Sequence, residues 1–391
     1  MLTISRLYFL GTLTIVALLT SCGGDSKKES QPNLPDNYSY SIPVQKNDGW
    51  QVASLSEVEV DDSHIQTLMD NIYQNNNSYR FIDSVLIIKD NKLVLDEVLR
   101  TELDIADGWA NNTDIDLHIL NSVTKSFVSA LVGIAIDQSY IEGVDVKVHD
   151  YFAHKQPIEN WSEEKANITL ENWLTMRHGY LWDEWNVSYL DSSNLNSQMN
   201  SSHDPIQFLL DRPMSTIPGE EFAYSTGISF GLGRIVQIAT GQSVISFMDQ
   251  NLFQPLGIEK YDYWALDGQI HTGSALYLSN RDMAKFGQLF LAHGKWQGQQ
   301  VVSPAWVEQS TLQHVDKGSW GYSYQWWTTT FSYENSTVEC FYADGFGGQY
   351  IFVLPALNSV VVFNGRAYQE GEKEQYRIRT IMENHILPAL L

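Results

Sequence analysis

The chain has 391 residues, 43% of them hydrophobic and 18% charged, which suits a folded chain with a sizeable core and excludes a disordered one. Lys and Arg number 24 against 47 Asp and Glu, a net charge of -23. That balance excludes a phosphate-binding surface, and with it nucleic acid as a partner, because neutralising phosphates takes clustered cations.

In chain order, Met1 to Leu19 carries Arg6 and then a mostly apolar run from Leu7, too short for a comfortable membrane span and fitting a secretory signal. Leu19-Thr20-Ser21-Cys22 reads as a lipoprotein cleavage box: a signal peptide over 1–21, then an acylated Cys22. The expectation is an exported cell-envelope lipoprotein, periplasmic or surface-facing, that meets the membrane through this lipid; an uncleaved anchor with an incidental Cys is the alternative. With Cys22 lipidated, Cys340 has no intramolecular disulfide partner. Residues 22–46, rich in Gly, Ser, Lys, Pro and Asn, read as a flexible tether, and 47–391 as the folded domain.

Ile65, Leu68, Ile72 and Tyr73 share one face of a helix over 63–73. Ser84 to Ile88 and Lys92 to Leu95 flank Asp90-Asn91 as a hairpin with a tight turn. Asn121 suits an N-cap, and Ser122 to Asp137 is apolar nearly all round, as a buried helix requires. From about 146 to 265 the signals are mainly helical. Tyr350 to Leu354 and Val360 to Phe363 then read as strands about Pro355-Ala356-Leu357-Asn358, with a last helix over about 371–385. The fold class is α/β: one antiparallel sheet built from both termini, flanked by helices, with a helical insertion.

Ser122-Val123-Thr124-Lys125 puts a hydroxyl and an amine on one face at the start of the buried helix. The unpaired N–H groups of a first turn favour an oxyanion, and a lysine desolvated there serves as a base. Spacing alone is weak evidence, since Ser162-Glu163-Glu164-Lys165 repeats it in a polar stretch.

Two further elements follow, Pro218 to Gly227 around Ala223-Tyr224-Ser225-Thr226, and Tyr342-Ala343-Asp344-Gly345-Phe346-Gly347-Gly348-Gln349 before an apolar strand. With all three in this order, residues 48–387 resemble the class C β-lactamase-like serine hydrolases, a penicillin-recognising, transpeptidase-like fold, and more closely their esterase and aminohexanoate-oligomer hydrolase branch. The resemblance implies Ser122 as acylated nucleophile, Lys125 as its partner, Tyr224 as proton relay, and the N–H groups of Ser122 and Phe346 as oxyanion hole. It points to Thr226, Ala343, Gly345, His178 and Trp182 for substrate contacts. Thr226 stands where the family often has Asn or Ser, and Ala343 where lactam-binding members have Lys or His, so no cation awaits a substrate carboxylate. His178 occupies a Ser position, and beyond such a contact the resemblance gives it no role. Ile168 to Met176 and Thr272-Gly273-Ser274 also match, and read as a helix end and a turn around the cleft.

Gly227-Ile228-Ser229-Phe230-Gly231 spells a nucleophile elbow, but the strand that motif requires is missing before it. The ten His are scattered, without metal-ligand spacing, so neither metal nor cofactor is expected. Trp182, Trp185, Trp326 and Trp327 could line an apolar groove or fill the core. The favoured function is hydrolysis of a small carboxylic ester, amide or peptide through an acyl-enzyme. A β-lactamase or D-Ala-type peptidase, and a non-catalytic envelope binding protein, are the alternatives.

Overall fold

The computed structural model describes residues 38–369, 372 and 376–391. The signal peptide, Cys22 and the tether as far as residue 37 lie outside the described residues, as do 370, 371 and 373–375 of the expected last helix.

Both ends of the chain contribute to one nine-stranded sheet. The first part supplies β1 (Gln51–Val52), β2 (Ile82–Lys89) and β3 (Lys92–Val98). The last part supplies β4 (Val315–Asp316), β5 (Gly321–Tyr322), β6 (Trp327–Tyr333), β7 (Ser336–Gly345), β8 (Gln349–Leu354) and β9 (Ser359–Gly365). Their order is β1-β3-β2-β9-β8-β7-β6-β5-β4. Every pair is antiparallel except β1 with β3, and that edge makes the sheet mixed. Asp90 and Asn91 both adopt positive φ (50° and 62°), as the two-residue turn joining β2 to β3 demands and as Asp and Asn tolerate.

α1 (Asp62–Tyr73) lies between β1 and β2; between the two groups of strands run α2 (Thr124–Asp137), α3 (Thr226–Thr240) and α4 (Asn280–Leu291), with shorter helices over much of 148–256. β2, β8 and β9 are buried along nearly their whole length, which requires cover on both faces. α4 lies across β2, β8 and β9. It can do so because Gly287 has no side chain: a Cβ there would stand 2.6 Å from Val360 and 2.8 Å from Ile351. α2 packs on α3, and its Phe127 stacks on Phe286 of α4 with ring centroids 3.7 Å apart. Burial of such a side chain contributes about 1.5–3 kcal/mol, so α2 is fixed mainly by its apolar surface.

The tether ends earlier than its composition suggests. Tyr38 is buried and donates its hydroxyl to Glu97, Tyr40 donates to the Val94 carbonyl, and Arg281 bonds both Asp48 and the Val44 carbonyl. Two tyrosines with partnered hydroxyls outweigh the polar residues around them. Asn121, expected as an N-cap, does something else: it takes positive φ (46°) in the turn Asn121–Val123 before α2, whose own N-cap Val123 has no side-chain bond. At the other end, the helical segments Ile378–Ile381, Met382–Ile386 and Leu387–Leu390 carry the last helix past its expected end at 385. Cys340 is a buried free thiol.

Candidate active site

Lys125 organises the centre of the molecule. It is buried at 2% exposure, and its amine donates to Ser122 Oγ (3.0 Å), Thr226 Oγ1 (3.1 Å) and the Gly273 carbonyl (2.8 Å). Burial pulls its pKa down from 10.5 to about 7, against the opposing pull of Glu184 and Asp344. A lysine in that range exchanges protons near neutrality, as an acid–base partner must.

Ser122 lies half-buried in the turn before α2. The left-handed Asn121 aims its own side-chain amide at the Phe346 carbonyl, 2.6 Å away. Gly345 allows the approach, since a Cβ there would meet the Leu120 carbonyl oxygen at 2.3 Å. Strand β7 thereby ends against the serine turn. Tyr224 is buried under the Lys125 amine, which sits 4.9 Å from its ring centroid, and its phenol shares a hydrogen bond with the Ser122 side chain. Burial, then Tyr322 and Glu184, hold that phenol well above its usual pKa, so it stays protonated at working pH.

The matching fragments hold Tyr224 and Lys125 in place. Thr169 and Asn172 form a capping box on helix Leu170–Leu174, after which Met176, at positive φ, accepts the Ala223 N–H at 2.8 Å. His178 is wholly buried: Nδ1 accepts the Tyr180 N–H, so Nε2 donates to the Ala223 carbonyl at 2.8 Å. Burial lowers its pKa to about 4. It fixes the backbone beside Tyr224 and does not face the cleft, contrary to the substrate contact expected of it. His271 orders the next turn in the same way, accepting the Gly273 N–H at 3.2 Å, which directs the Gly273 carbonyl to Lys125.

Other expected contacts also lie elsewhere. Thr226 is buried between Lys125 and Glu184, bonded to both. Ala343 is 1% exposed in the core, paired with Ile351, because β7 alternates faces and turns the neighbouring Asp344 to the cleft. Trp182 donates to Glu184 and packs on Phe208, while Trp326 is wholly buried against Phe286. Trp185 is half exposed and stacks on Tyr224 (5.2 Å); together with Trp327 it does line a cavity of about 410 Å³ that also takes in Trp320, Tyr342, Asp344 and Arg379. Arg379 gives its guanidinium to Glu383, Thr329 and Thr330.

Glu184 was invisible to sequence reasoning. It sits in the irregular stretch between Tyr180 and Leu195, where no period or spacing marks one acidic residue from another. Its 1%-exposed carboxylate accepts Trp182 Nε1–H, Tyr189 O–H, Thr226 N–H and Thr226 Oγ1–H, at 2.6–2.8 Å.

The competing serines fit other roles. Ser229 is buried within α3 and bonds Gln325. Ser162 caps the four-residue helix Glu163–Ala166. Asp83, Asp104 and His118 bring ligand-type atoms within 4.8 Å of one another away from this site, but Arg366 and His118 already bond Asp83.

The family model described as Beta-lactamase matches residues 65–383. The 6-aminohexanoate-dimer hydrolase of Paenarthrobacter ureafaciens is 25% identical over 277 residues, 63% of this chain and 65% of that protein. The chain thus spans a little under two thirds of the length of the curated relatives it matches. Among solved structures, one provisionally named a 6-aminohexanoate-dimer hydrolase from Bacillus anthracis superposes with a TM-score of 0.63 at 19% identity, covering 92% of this chain and 90% of that one. A family VIII carboxylesterase gives 0.58 at 14% identity, covering 84% and 98%. These likenesses show the fold.

Proposed function

Because this chain belongs to the Beta-lactamase family of hydrolases, we propose that it is a serine hydrolase of small carboxylic esters or amides, working through an acyl-enzyme on Ser122. The observation that carries the proposal is the buried Lys125 amine, 3.0 Å from Ser122 Oγ with its pKa brought to about 7.

In the proposed cycle, neutral Lys125 takes the Ser122 proton as Oγ bonds to the acyl carbon. The N–H groups of Ser122 and Phe346 receive the oxyanion. The carbon–leaving-group bond then breaks, and the departing oxygen or nitrogen gains the proton from the lysine ammonium by way of the Tyr224 hydroxyl. Water attacks the acyl carbon along the reverse path, releasing the acid and restoring Ser122. Tyr224 suits a relay because it is a neutral phenol that both donates and accepts.

Esters and amides are favoured over β-lactams by the charge at the cleft: Ala343 is buried, Asp344 faces the cavity, and Arg379 is engaged by other groups. A lactam carboxylate would forgo a charge-assisted bond of about 1.5–3 kcal/mol. The relatives, an aminohexanoate-dimer hydrolase and a carboxylesterase, point the same way. The test compares p-nitrophenyl butyrate with nitrocefin: we expect the ester to be turned over with the higher kcat/KM, and a clear preference for nitrocefin would overturn the substrate class. The proposal extends to export and acylation at Cys22; an unmodified Cys22 in the mature N-terminal peptide, read by mass spectrometry, would refute that part.

A further inference from the structure

We propose that Glu184 is a positioning residue that fixes the direction of the Thr226 hydroxyl and thereby aims the Lys125 lone pair at Ser122; this rests on the acyl-enzyme reading above.

The argument is a count of protons. A lysine ammonium has three, and the structure provides three acceptors, Ser122 Oγ, Thr226 Oγ1 and the Gly273 carbonyl. The neutral amine, the form able to accept the Ser122 proton, has two protons and one lone pair. A carbonyl only accepts, so Gly273 takes one proton. Thr226 can do either, unless its own hydrogen is committed. Glu184 commits it, because Thr226 Oγ1 donates to Glu184 Oε1 at 2.6 Å. Thr226 must then accept from Lys125, the second amine proton is used there, and the lone pair is left for Ser122. Without a carboxylate behind it, the Thr226 hydroxyl could turn and donate to the amine, blocking the base.

Glu184 is built for this and cannot easily turn away. Its other oxygen accepts two obligate donors, the Thr226 N–H and Trp182 Nε1–H, each at 2.8 Å, and Tyr189 O–H joins Thr226 on the first oxygen. Asn194 donates to the Glu184 carbonyl at 3.0 Å and to that of Val187 at 2.8 Å, pinning the loop.

Several groups surround Lys125: Ser122 from its own turn, Tyr224 and Thr226 at the start of α3, Glu184 and Tyr189 from the loop behind Thr226, and His271 beside Gly273. Asp344 comes from β7, and Tyr322 from β5 faces Tyr224. Of these, Glu184 and Asp344 raise the lysine pKa.

The test measures the rate at which a fluorophosphonate labels Ser122, as a function of pH, in the full chain. In Glu184→Gln an amide NH₂ must face either the Thr226 hydroxyl or two obligate donors. The first arrangement is the tolerable one, and it reverses the hydroxyl. We expect the plateau labelling rate to fall about tenfold or more. The acidic limb should move down by about one pH unit, because a charge that favoured the lysine ammonium is gone. Thr226→Val should show the same plateau loss, and Thr226→Ser should stay within about threefold of native, about 0.7 kcal/mol at about 1.4 kcal/mol per factor of ten. A folded Glu184→Gln with the native plateau and limb, or a Thr226→Val labelled as fast as native, overturns the proposal alone. If Glu184→Gln does not fold, the Val and Ser variants decide. Labelling of the native chain at a residue other than Ser122 overturns the acyl-enzyme reading and the proposal with it.

Discussion

Two regions of this molecule share a spacing and differ in use. Ser122 to Lys125 and Ser162 to Lys165 are both Ser-x-x-Lys, both lysines are buried, and burial lowers both pKa values, to about 7 and about 8. Each amine also lies near an aromatic ring, Tyr224 in one case and Tyr180 in the other. What separates them is where the helix begins. Ser162 stands just outside its helix with extended backbone, so its hydroxyl is used as a cap, accepting the Lys165 N–H, and the amine reaches away to the carbonyls of Glu159 and Leu210. Ser122 lies inside a helical turn, put there by the left-handed Asn121, and its side chain falls under the Lys125 amine. The lesson is that a motif acquires chemistry from its place relative to the cap, and that a buried, depressed lysine by itself marks no site.

The largest effect should come from exchanging the two serines for alanine. Ser122→Ala is expected to lower kcat for an aryl ester by about 10⁴-fold or more, leaving only binding and oxyanion contributions. Ser162→Ala should leave kcat essentially native and lose about 1 kcal/mol of stability through its cap, read from denaturant unfolding. Equal loss of activity in both would break the comparison.

Next come the lysines. Lys125→Met should cost about 10²–10⁴-fold in kcat, the range for a general base, whereas Lys165→Met should chiefly lower Tm because the carbonyls of Glu159 and Leu210, the latter buried, lose their donor. The pH dependence sharpens this. Lys125 must be neutral to act, so kcat/KM should fall as pH drops below about 7. For stability the sign is set by a folded pKa lying below the unfolded value of 10.5. Below about 7 both states hold the proton and the cost of burying the ammonium is full. Between about 7 and 10.5 the unfolded chain binds more protons, so stability rises with pH. Lys125→Met should therefore show a flatter rise of Tm with pH than the native chain over that window; an unchanged slope would mean the lysine is not desolvated.

The smallest effect is expected at the cleft wall. Trp185→Ala removes a half-exposed ring stacked on Tyr224, and an aromatic contact of about 0.5–1.5 kcal/mol translates to a few-fold rise in KM for aryl esters. A loss in kcat of the Ser122→Ala size would instead place Trp185 in the chemistry.

The sequence disclosed the elements whose signal is local. Asp90-Asn91 announced its hairpin, the apolar Ser122 to Asp137 stretch its buried helix, and the strands around Pro355-Asn358 their pairing. β4 to β7 escaped: β4 and β5 are two residues each, too short to carry a period, and β6 and β7 mix aromatic and polar residues on a half-covered part of the sheet, blurring the alternation. In the site, Ser122, Lys125 and Tyr224 were legible through motif order, and the structure gathers them around one amine. Glu184 was not, since its role depends on a loop folding back on Thr226. His178, Thr226, Ala343 and Trp182 were placed in the right neighbourhood, but side-chain direction, which decides between cleft and core, is set by tertiary packing. Tyr38 and Tyr40 carried their anchoring in hydroxyls whose partners lie 59 and 54 residues away.

The central claim is that Ser122 carries the acyl group, and the most direct measurement is the mass of peptides from protein quenched during turnover of a slow ester, or after a fluorophosphonate. The account predicts one adduct, on the peptide containing Ser122, absent from Ser122→Ala and retained in Ser162→Ala and Ser229→Ala. An adduct on Ser229 or Ser162, or hydrolysis that persists at the native rate in Ser122→Ala, would contradict it.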